Sequence, residues 1–528
     1  MLGFLALATS GGTSFASVKP KATSQTTLVV LDSAQANSYA YDGGNDTSNE
    51  DTELSANTMG NLIRYQYVGD SQDWNEFQPE LAKSYTVSKN GLVYTFHLKS
   101  GIFGVAGNQF TAADVMYSFQ RKFSTATSSD AFLFDEVMAN PLLNDIQEIN
   151  PTTVAFTIEQ PGYGQWFLGL MANEMGDIYD SAVLQAHATT SDPYAVVWSE
   201  SHGGWGLGPY TVTAETPGSS IVLTANPNWV MGKLHFQTVD VETVSDPGTE
   251  VQLLQSGAAD IIEDISPAEQ AQLAASKAYY VPKVAFPDEY LSVATIVPNA
   301  PFSNVGVREA FRYAIPYRKI LGSVYQGFGK ATAGPLDPNQ TNYDGTGLSP
   351  NTYNPTKAKK LLAAAGYPNG ISFTLTYASG LPDVDEAALL IQTFAAAAGF
   401  TVTLNELSTA GFAAIKNAHT AQAILIDDRG FVQTPNYLLT TFWGNPDGRL
   451  SYGGYDDPTF DALIAVANSY KDPLSVAANV QWNKAQKYLQ TQAPSDLIAK
   501  VQESIAFAAG IKGYEYRSDN GLDYSMMR

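Results

Sequence analysis

Charge and aromatic surface meet in the run Ile426-Asp427-Asp428-Arg429-Gly430-Phe431, with Trp443 a short way downstream. A carboxylate here can hold a ligand ammonium, and Arg429 can meet a ligand carboxylate or carbonyl. Phe431 and Trp443 offer stacking surface instead. The plainer alternative is an exposed ion pair at a strand end, which contributes little energy. Trp205, in Gly204-Trp205-Gly206-Leu207-Gly208-Pro209, sits in glycine-rich wording unlike ordinary core, and Tyr39 and Tyr41 follow the first apolar run. Rings of this kind give broad contact for side chains or sugar faces, with simple packing as the competing role for each. Trp229 and Trp482 read as structural.

Other chemistries find less support. His97, His187, His202, His235 and His419 are scattered, and none has a partner at metal-binding helical spacing. The acidic run from Asp42 to Glu53 is rich in oxygen ligands but lacks EF-hand order, so a polar loop is expected rather than a calcium site. Gly322 to Lys330 misses the phosphate-binding loop because Phe328 occupies the lysine position. Gly204-Trp205-Gly206 fails the dinucleotide pattern because Pro209 stands at its third glycine. No G-x-S-x-G elbow occurs. Nothing supports catalysis, a cofactor or a metal.

The elements that must position these residues alternate between strand and helix periodicity. Thr26 to Leu31 and Val93 to Leu98 read as strands. Thr111 caps a helix running to about Phe123, with Val115, Phe119 and Phe123 on one face. Val307, Phe311 and Ile315 repeat that spacing as core, with Arg308 and Arg312 expected to face outward. Asn354 and Pro355 open a helix that Gly366 and Pro368 stop; Ala358, Leu361, Leu362 and Ala365 form its apolar stripe. Glu386 to Ala398 followed by Phe400 to Leu404 is a helix–strand unit, and Asp457-Pro458 starts a helix to about Asn468. The mixture without strict βαβ repetition predicts an α/β protein with mixed sheets.

At 528 residues and 44% hydrophobic content the chain can build several sizeable cores. No internal run is long enough to span a bilayer. A net charge of −23 argues against nucleic acid or an anionic membrane as partner. The absence of cysteine removes disulfides, thiol catalysis and thiolate metal sites. Residues 1–16 read as a signal-peptide remnant: Met1 to Ala8 is apolar and Ser14-Phe15-Ala16 offers a small-x-small cleavage site.

Six segments, taken in order, resemble one family. They are Pro79-Glu80-Leu81-Ala82 through Gly91-Leu92-Val93-Tyr94-Thr95-Phe96-His97-Leu98 to Gly101; Phe110-Thr111-Ala112-Ala113-Asp114-Val115; and Gly208-Pro209-Tyr210 with Leu254-Gln255-Ser256-Gly257-Ala258-Ala259-Asp260. Val307-Arg308-Glu309-Ala310-Phe311-Arg312-Tyr313-Ala314-Ile315, the stretch from Asn354 to Gly370, and Tyr455-Asp456-Asp457-Pro458 with Asp461-Ala462-Leu463-Ile464 complete the set. Together the chain resembles the family 5 extracellular solute-binding proteins, the peptide- and nickel-type receptors of bacterial ABC importers, over roughly residues 26–515.

That resemblance implies a type II periplasmic-binding fold with two lobes on a two-segment hinge. Lobe I would comprise 26–56, 190–286 and 495–528, an inserted subdomain 57–189, and lobe II 287–494, with crossovers near Pro287 and Pro494. It implies a monomeric, non-enzymatic, extracytoplasmic receptor that delivers its ligand to importer permease subunits. Short peptides are the expected ligand; an oligosaccharide is the alternative, and a family-derived enzyme or extracytoplasmic chaperone is the alternative of another class. Nickel is disfavoured by the lack of clustered histidine. Ser10 stands where a lipobox cysteine would lie, so a lipid anchor is not supported. Peptide-binding relatives carry an aspartate four residues before a proline to pair with the peptide ammonium. Here Pro435 puts Phe431 at that position, so a small insertion would be needed to bring Asp428 into the role. Tyr39 and Tyr41 lie where relatives place cleft residues.

Overall fold

A computed structural model describes residues 26–40, 42, 48–69, 71–125, 129–139, 144–284, 288–444, 451–518 and 521–528. The signal-like segment 1–16, Tyr41 and Pro287 lie outside the described residues.

Two mixed sheets organise the chain. The first has seven strands in the order Tyr279–Tyr280, Ala506–Ala508, Ile261–Ile262, Thr27–Asp32, Thr238–Thr243, Ser220–Ala225, Tyr210–Thr216. Thr27–Asp32 runs parallel to both of its neighbours, while the edges are antiparallel. The second has six strands in the order Gly329–Lys330, Ser495–Val501, Tyr290–Thr295, Ala423–Asp428, Ile371–Ala378, Phe400–Leu407. Between the first strand and the remainder of the first sheet, residues 63–157 fold into a hairpin (Ile63–Val68 with Ser71–Pro79) and a separate four-stranded sheet.

Tyr290–Thr295 shows why a central strand forms here: every residue of YLSVAT is buried, as a strand covered on both faces requires. Leu291 and Val293 enter the core that holds Val307, Phe311 and Leu375. Tyr290 and Ala294 face the opposite way, into the core of Tyr437, Phe442 and Trp443. This second face matters for ligand chemistry, because it turns towards the inserted subdomain.

Local signals predict many ends correctly. Thr111 caps Ala112–Ser124 with a reciprocal bond to Asp114, and Asn354 caps Pro355–Ala364, which buries Ala358 and Leu362. Gly366 takes the left-handed φ of 101° that stops this helix. Asp457 caps Pro458–Asn468. The helix expected from Glu386 begins earlier, at Pro382.

Three expectations need correction. Arg308 and Arg312 do not face outward; they are 4% and 9% exposed. Arg312 Nε donates to Asp496 Oδ1 at 2.9 Å, and Arg308 caps the carbonyls of Phe302 and Gln492, so the helix is held on its polar side by buried guanidinium groups. The run from Asp42 to Glu53 is not simply a polar loop. Asn49–Thr58 is a helix with a Ser48–Asp51 capping box, and Asp42 is fully buried against Arg121. Finally, Ser495–Val501 pairs with Tyr290–Thr295 in the second sheet, so the return crossover falls at 502–505 rather than near Pro494.

Candidate ligand-binding site

The strand Ala423–Asp428 delivers Asp427, Asp428 and Arg429 to the place where the lobes and the insertion meet. Arg429 Nη2 reaches Asn49 Oδ1 of the first lobe at 3.3 Å, and the same nitrogen lies 3.8 Å from Glu289. The Phe431 carbonyl accepts from Ser518 Oγ at 2.8 Å and from Asn173 Nδ2 of the insertion at 2.5 Å. Asn436 Nδ2 donates to Gly162 O at 3.0 Å, and Thr441 Oγ1 to Glu136 Oε2 at 2.7 Å. This stretch therefore touches the helix Asn49–Thr58, Ser518 near the end of the chain, and residues 136, 162 and 173 between the first strand and the rest of the first sheet.

Within it, three solvent-inaccessible polar atoms on consecutive residues have no hydrogen-bond partner among the described residues: Asp427 Oδ1, Asp428 Oδ2 and Arg429 Nη1. Buried polar atoms are normally paired, and these three sit beside the Glu289 carboxyl and the Tyr452 hydroxyl, which interact with Asp427 and Asp428. Burial raises the pKa of Asp428, against the pull of Lys416 and the Tyr452 hydroxyl. Burial also pushes Asp427 well up, reinforced by Glu289 and Asp383. For Arg429 burial acts downward, but Glu289 and Asp288 outweigh it and hold the guanidinium above its ordinary value.

Tyr290 pairs with Asp428 across the sheet, and the Tyr452 hydroxyl faces its carboxylate. Tyr290, Phe442, Trp443 and Tyr452 line a cavity of about 20 Å³, with Trp443 Nε1 donating to Ser495 Oγ at 3.1 Å. A larger cavity, about 60 Å³, lies between Trp74 of the insertion hairpin, Asp288, Gln433, Lys330, Asp337 and Lys500. Gln433 Nε2 links the two regions by donating to Gly430 O at 2.7 Å and Asp288 Oδ2 at 3.1 Å. The Tyr516 hydroxyl donates to Asp288 Oδ1, and Lys500 Nζ donates to the Asp288 carbonyl at 2.9 Å.

Among the expected site residues, Asp427, Asp428, Arg429, Phe431 and Trp443 come together. Trp205 does not join them. It has no exposed surface, lies edge-on to Tyr179, and offers its face to Arg121 at 5.3 Å, so its glycine-flanked position serves packing. Tyr39 is 5% exposed and donates its hydroxyl to Glu215 at 2.6 Å within the first lobe. Trp229 and Trp482 are buried, as expected. Trp74, Tyr290, Asp288, Gln433 and Lys500 were missed from sequence. Lys500 carried the one usable signal, a lysine that shares the otherwise apolar strand SDLIAKV with Asp496.

In the first lobe, carboxylate oxygens of Asp32, Glu50 and Asp264 gather within 4.8 Å of one another, and Ser33 Oγ donates to Asp264 Oδ2 at 2.6 Å. Burial, with Asp264 and Glu50 adding, raises Asp32 well above the usual carboxylate range. The cluster is thus suited to sharing protons. No helix among the described residues is long and apolar enough to cross a membrane.

Comparison with known proteins places this geometry in context. The pattern described as "Bacterial extracellular solute-binding proteins, family 5 Middle" matches residues 76–449. The chain is 27% identical over 467 residues to heme-binding protein A of Haemophilus influenzae, covering 83% of this chain and 82% of that protein. It is 30% identical over 299 residues to the glutathione-binding protein GsiB of Escherichia coli K12, covering 56% of this chain and 54% of that one. The periplasmic binding protein DppA of Helicobacter pylori, solved with the peptide STSA, superposes with a TM-score of 0.82 over 95% of this chain and 97% of that one at 21% identity. That likeness shows the fold, the type II periplasmic-binding architecture.

Proposed function

The chain belongs to the bacterial extracellular solute-binding proteins, family 5, the extracytoplasmic receptors of ABC importers, and we propose that its ligand is a short peptide with free ends. The family is one of binding receptors rather than enzymes. The observation that carries the peptide reading is the run of open polar atoms on Asp427, Asp428 and Arg429 at the meeting point of the lobes. An ammonium group satisfies the Asp428 carboxylate and a carbonyl or carboxylate satisfies Arg429, so the loop complements a molecule carrying both. A peptide-binding DppA and a glutathione-binding GsiB among the similar proteins support the same chemistry. Capture works by population shift: only the closed form touches the ligand from both lobes, and the permease subunits receive that form.

A thermal-shift scan against a short-peptide pool and an oligosaccharide panel tests the reading. A ligand at a hundred times its dissociation constant adds about 2.7 kcal/mol, enough for a shift of a few degrees. Peptides should shift the transition, and acetylating their N-termini should abolish the shift. Asp428→Asn should weaken free peptides by about 1.5–3 kcal/mol, the range for a hydrogen bond to a charged group. A shift with sugars alone would overturn the proposal and make Phe431 and Trp443 the recognition surface.

A further inference from the structure

Strand topology assembles the acidic cluster of the first lobe. Leu31 pairs in parallel with Ile262, so Asp32 and Asp264 leave two neighbouring strands at the same carboxyl end, where sheets of this kind bind ligands. Glu50 arrives from the first turn of the helix Asn49–Thr58, out of the acidic run whose order fits no EF-hand. A carboxylate oxygen of each lies within 4.8 Å of the others, a spacing that calcium bridges with bonds of about 2.3–2.6 Å. Ser33 Oγ, donating to Asp264 Oδ2 at 2.6 Å, holds that carboxylate in place. A cavity of about 20 Å³ opens between Asp32, Glu50, Glu53 and Tyr524, more room than the roughly 10–15 Å³ a water needs.

Clustered acid alone is often only a solvated face, but Glu250 sets this cluster apart. It lies on the helix Pro247–Ser256, whose Val251 and Leu254 share a core with Ile262. It has no exposed surface, and neither of its carboxylate oxygens has a hydrogen-bond partner among the described residues. After burial, Asp264 is the strongest influence on it, so the open oxygens stand directly behind the cluster. Glu263 Oε1 is likewise inaccessible and unpaired, under the charges of Glu53, Asp32 and Asp264. No lysine or arginine is among the groups that act most on Asp32, Glu50, Glu250 or Glu263. Like charges gathered out of water repel strongly, and a positive ion between them offsets that repulsion.

We propose that Asp32, Glu50 and Asp264 form a calcium-type divalent-cation site, with Glu250 and Glu263 as the carboxyls behind it. The donors are all oxygen, which selects a hard cation over nickel or zinc. Calcium accepts about six to eight oxygens in flexible geometry, so water completes the set; magnesium demands a near-ideal octahedron and sheds its water reluctantly. The ion pins the start of Asn49–Thr58 to the sheet. Asn49 accepts the bond from Arg429, so the ion also steadies the first-lobe partner of the ligand loop. The site stands independently of the peptide reading.

Terbium luminescence of the intact protein, stripped of metal with EDTA, tests this. Terbium(III) is a hard, calcium-like ion that is excited through a nearby tyrosine, and Tyr524 lines the cavity. Sensitised emission should saturate at one ion per chain and be displaced by calcium, with roughly ten-fold more magnesium needed for the same loss. Glu50→Gln and Asp264→Asn should each raise the calcium required by roughly ten-fold or more, while Glu148→Gln, an exposed carboxylate of the inserted subdomain, should leave it unchanged. Circular dichroism checks the fold of each variant, and the preference for calcium over magnesium needs no variant at all. Equal displacement by the two ions, or equal weakening in Glu148→Gln, would mark diffuse binding to acidic surface and overturn the site. Unchanged calcium displacement in both Glu50→Gln and Asp264→Asn, or no saturable emission, would overturn it as well.

Discussion

Arg121 has no exposed surface; its Nε and Nη2 each lie 2.8 Å from Asp42, and Nη2 also reaches Ser199. The faces of Tyr179 and Trp205 flank it at 5.5 and 5.3 Å. Every one of these groups spends its bonding capacity inside the fold. Arg429, by contrast, keeps Nη1 open beside the open oxygens of Asp427 and Asp428. Under the proposed reading, that open nitrogen leaves Arg429 available to a ligand. Arg121→Met should strand the Asp42 carboxylate and lower stability by about 3–5 kcal/mol in a urea titration. A loss under about 1 kcal/mol would show that Asp42 finds water or another donor. Trp205 illustrates what residue wording hides: its flanking glycines suggested an accessible ring, but its partner Arg121 arrives from a distant helix. Asp428 was legible because charges cluster there; Tyr290 was not, because only strand pairing sets it beside Asp428.

Elements with local causes were readable in advance, including the caps at Thr111, Asn354 and Asp457 and the alternating strand Val93–Leu98. Elements defined by partners far along the chain were less so. Ser495–Val501 looked like the start of the return to the first lobe, yet it hydrogen-bonds in the second sheet, and only the pairing with Tyr290–Thr295 reveals this. The crossover that follows is fastened by Gln502, whose amide oxygen accepts from Val284 N at 2.8 Å and whose Nε2 donates to Val284 O at 2.9 Å. This pair ties the two interlobe segments together on the first-lobe side. Gln502→Ala should remove both bonds, each contributing about 1 kcal/mol. Hydrogen exchange at the Val284 amide should then accelerate by roughly ten-fold, with the central strand Tyr290–Thr295 unaffected. Unchanged protection at Val284 would show that the tie does not hold the crossover.

At the scale of the whole molecule, the excess of acid is partly internal. Burial raises Glu53 to about 7, Glu80 to about 7 and Glu250 to about 8, and raises Asp32 and Glu263 well above the carboxylate range. A carboxyl whose folded pKa lies above its unfolded value binds the proton more tightly when folded. Its contribution is therefore complete below about pH 4.5 and is lost as pH rises through the folded values near 7 and 8. Asp42 and Asp523 act oppositely, being held below the model-peptide value of 3.8 by Arg121 and Arg64 against the effect of burial. The melting temperature should thus climb as pH falls from 8 to about 5, aided by reduced repulsion from the net charge of −23, and drop again in stronger acid. A flat profile from pH 5 to 8 would mean that these carboxyls are solvated in the folded state. The central claim, that the lobes capture a zwitterionic peptide on the face of the second sheet, is tested most directly by a crystal structure with trialanine. The peptide ammonium should lie at Asp428 and a carbonyl or carboxylate at Arg429; a peptide bound elsewhere, or with both residues untouched, would contradict the claim.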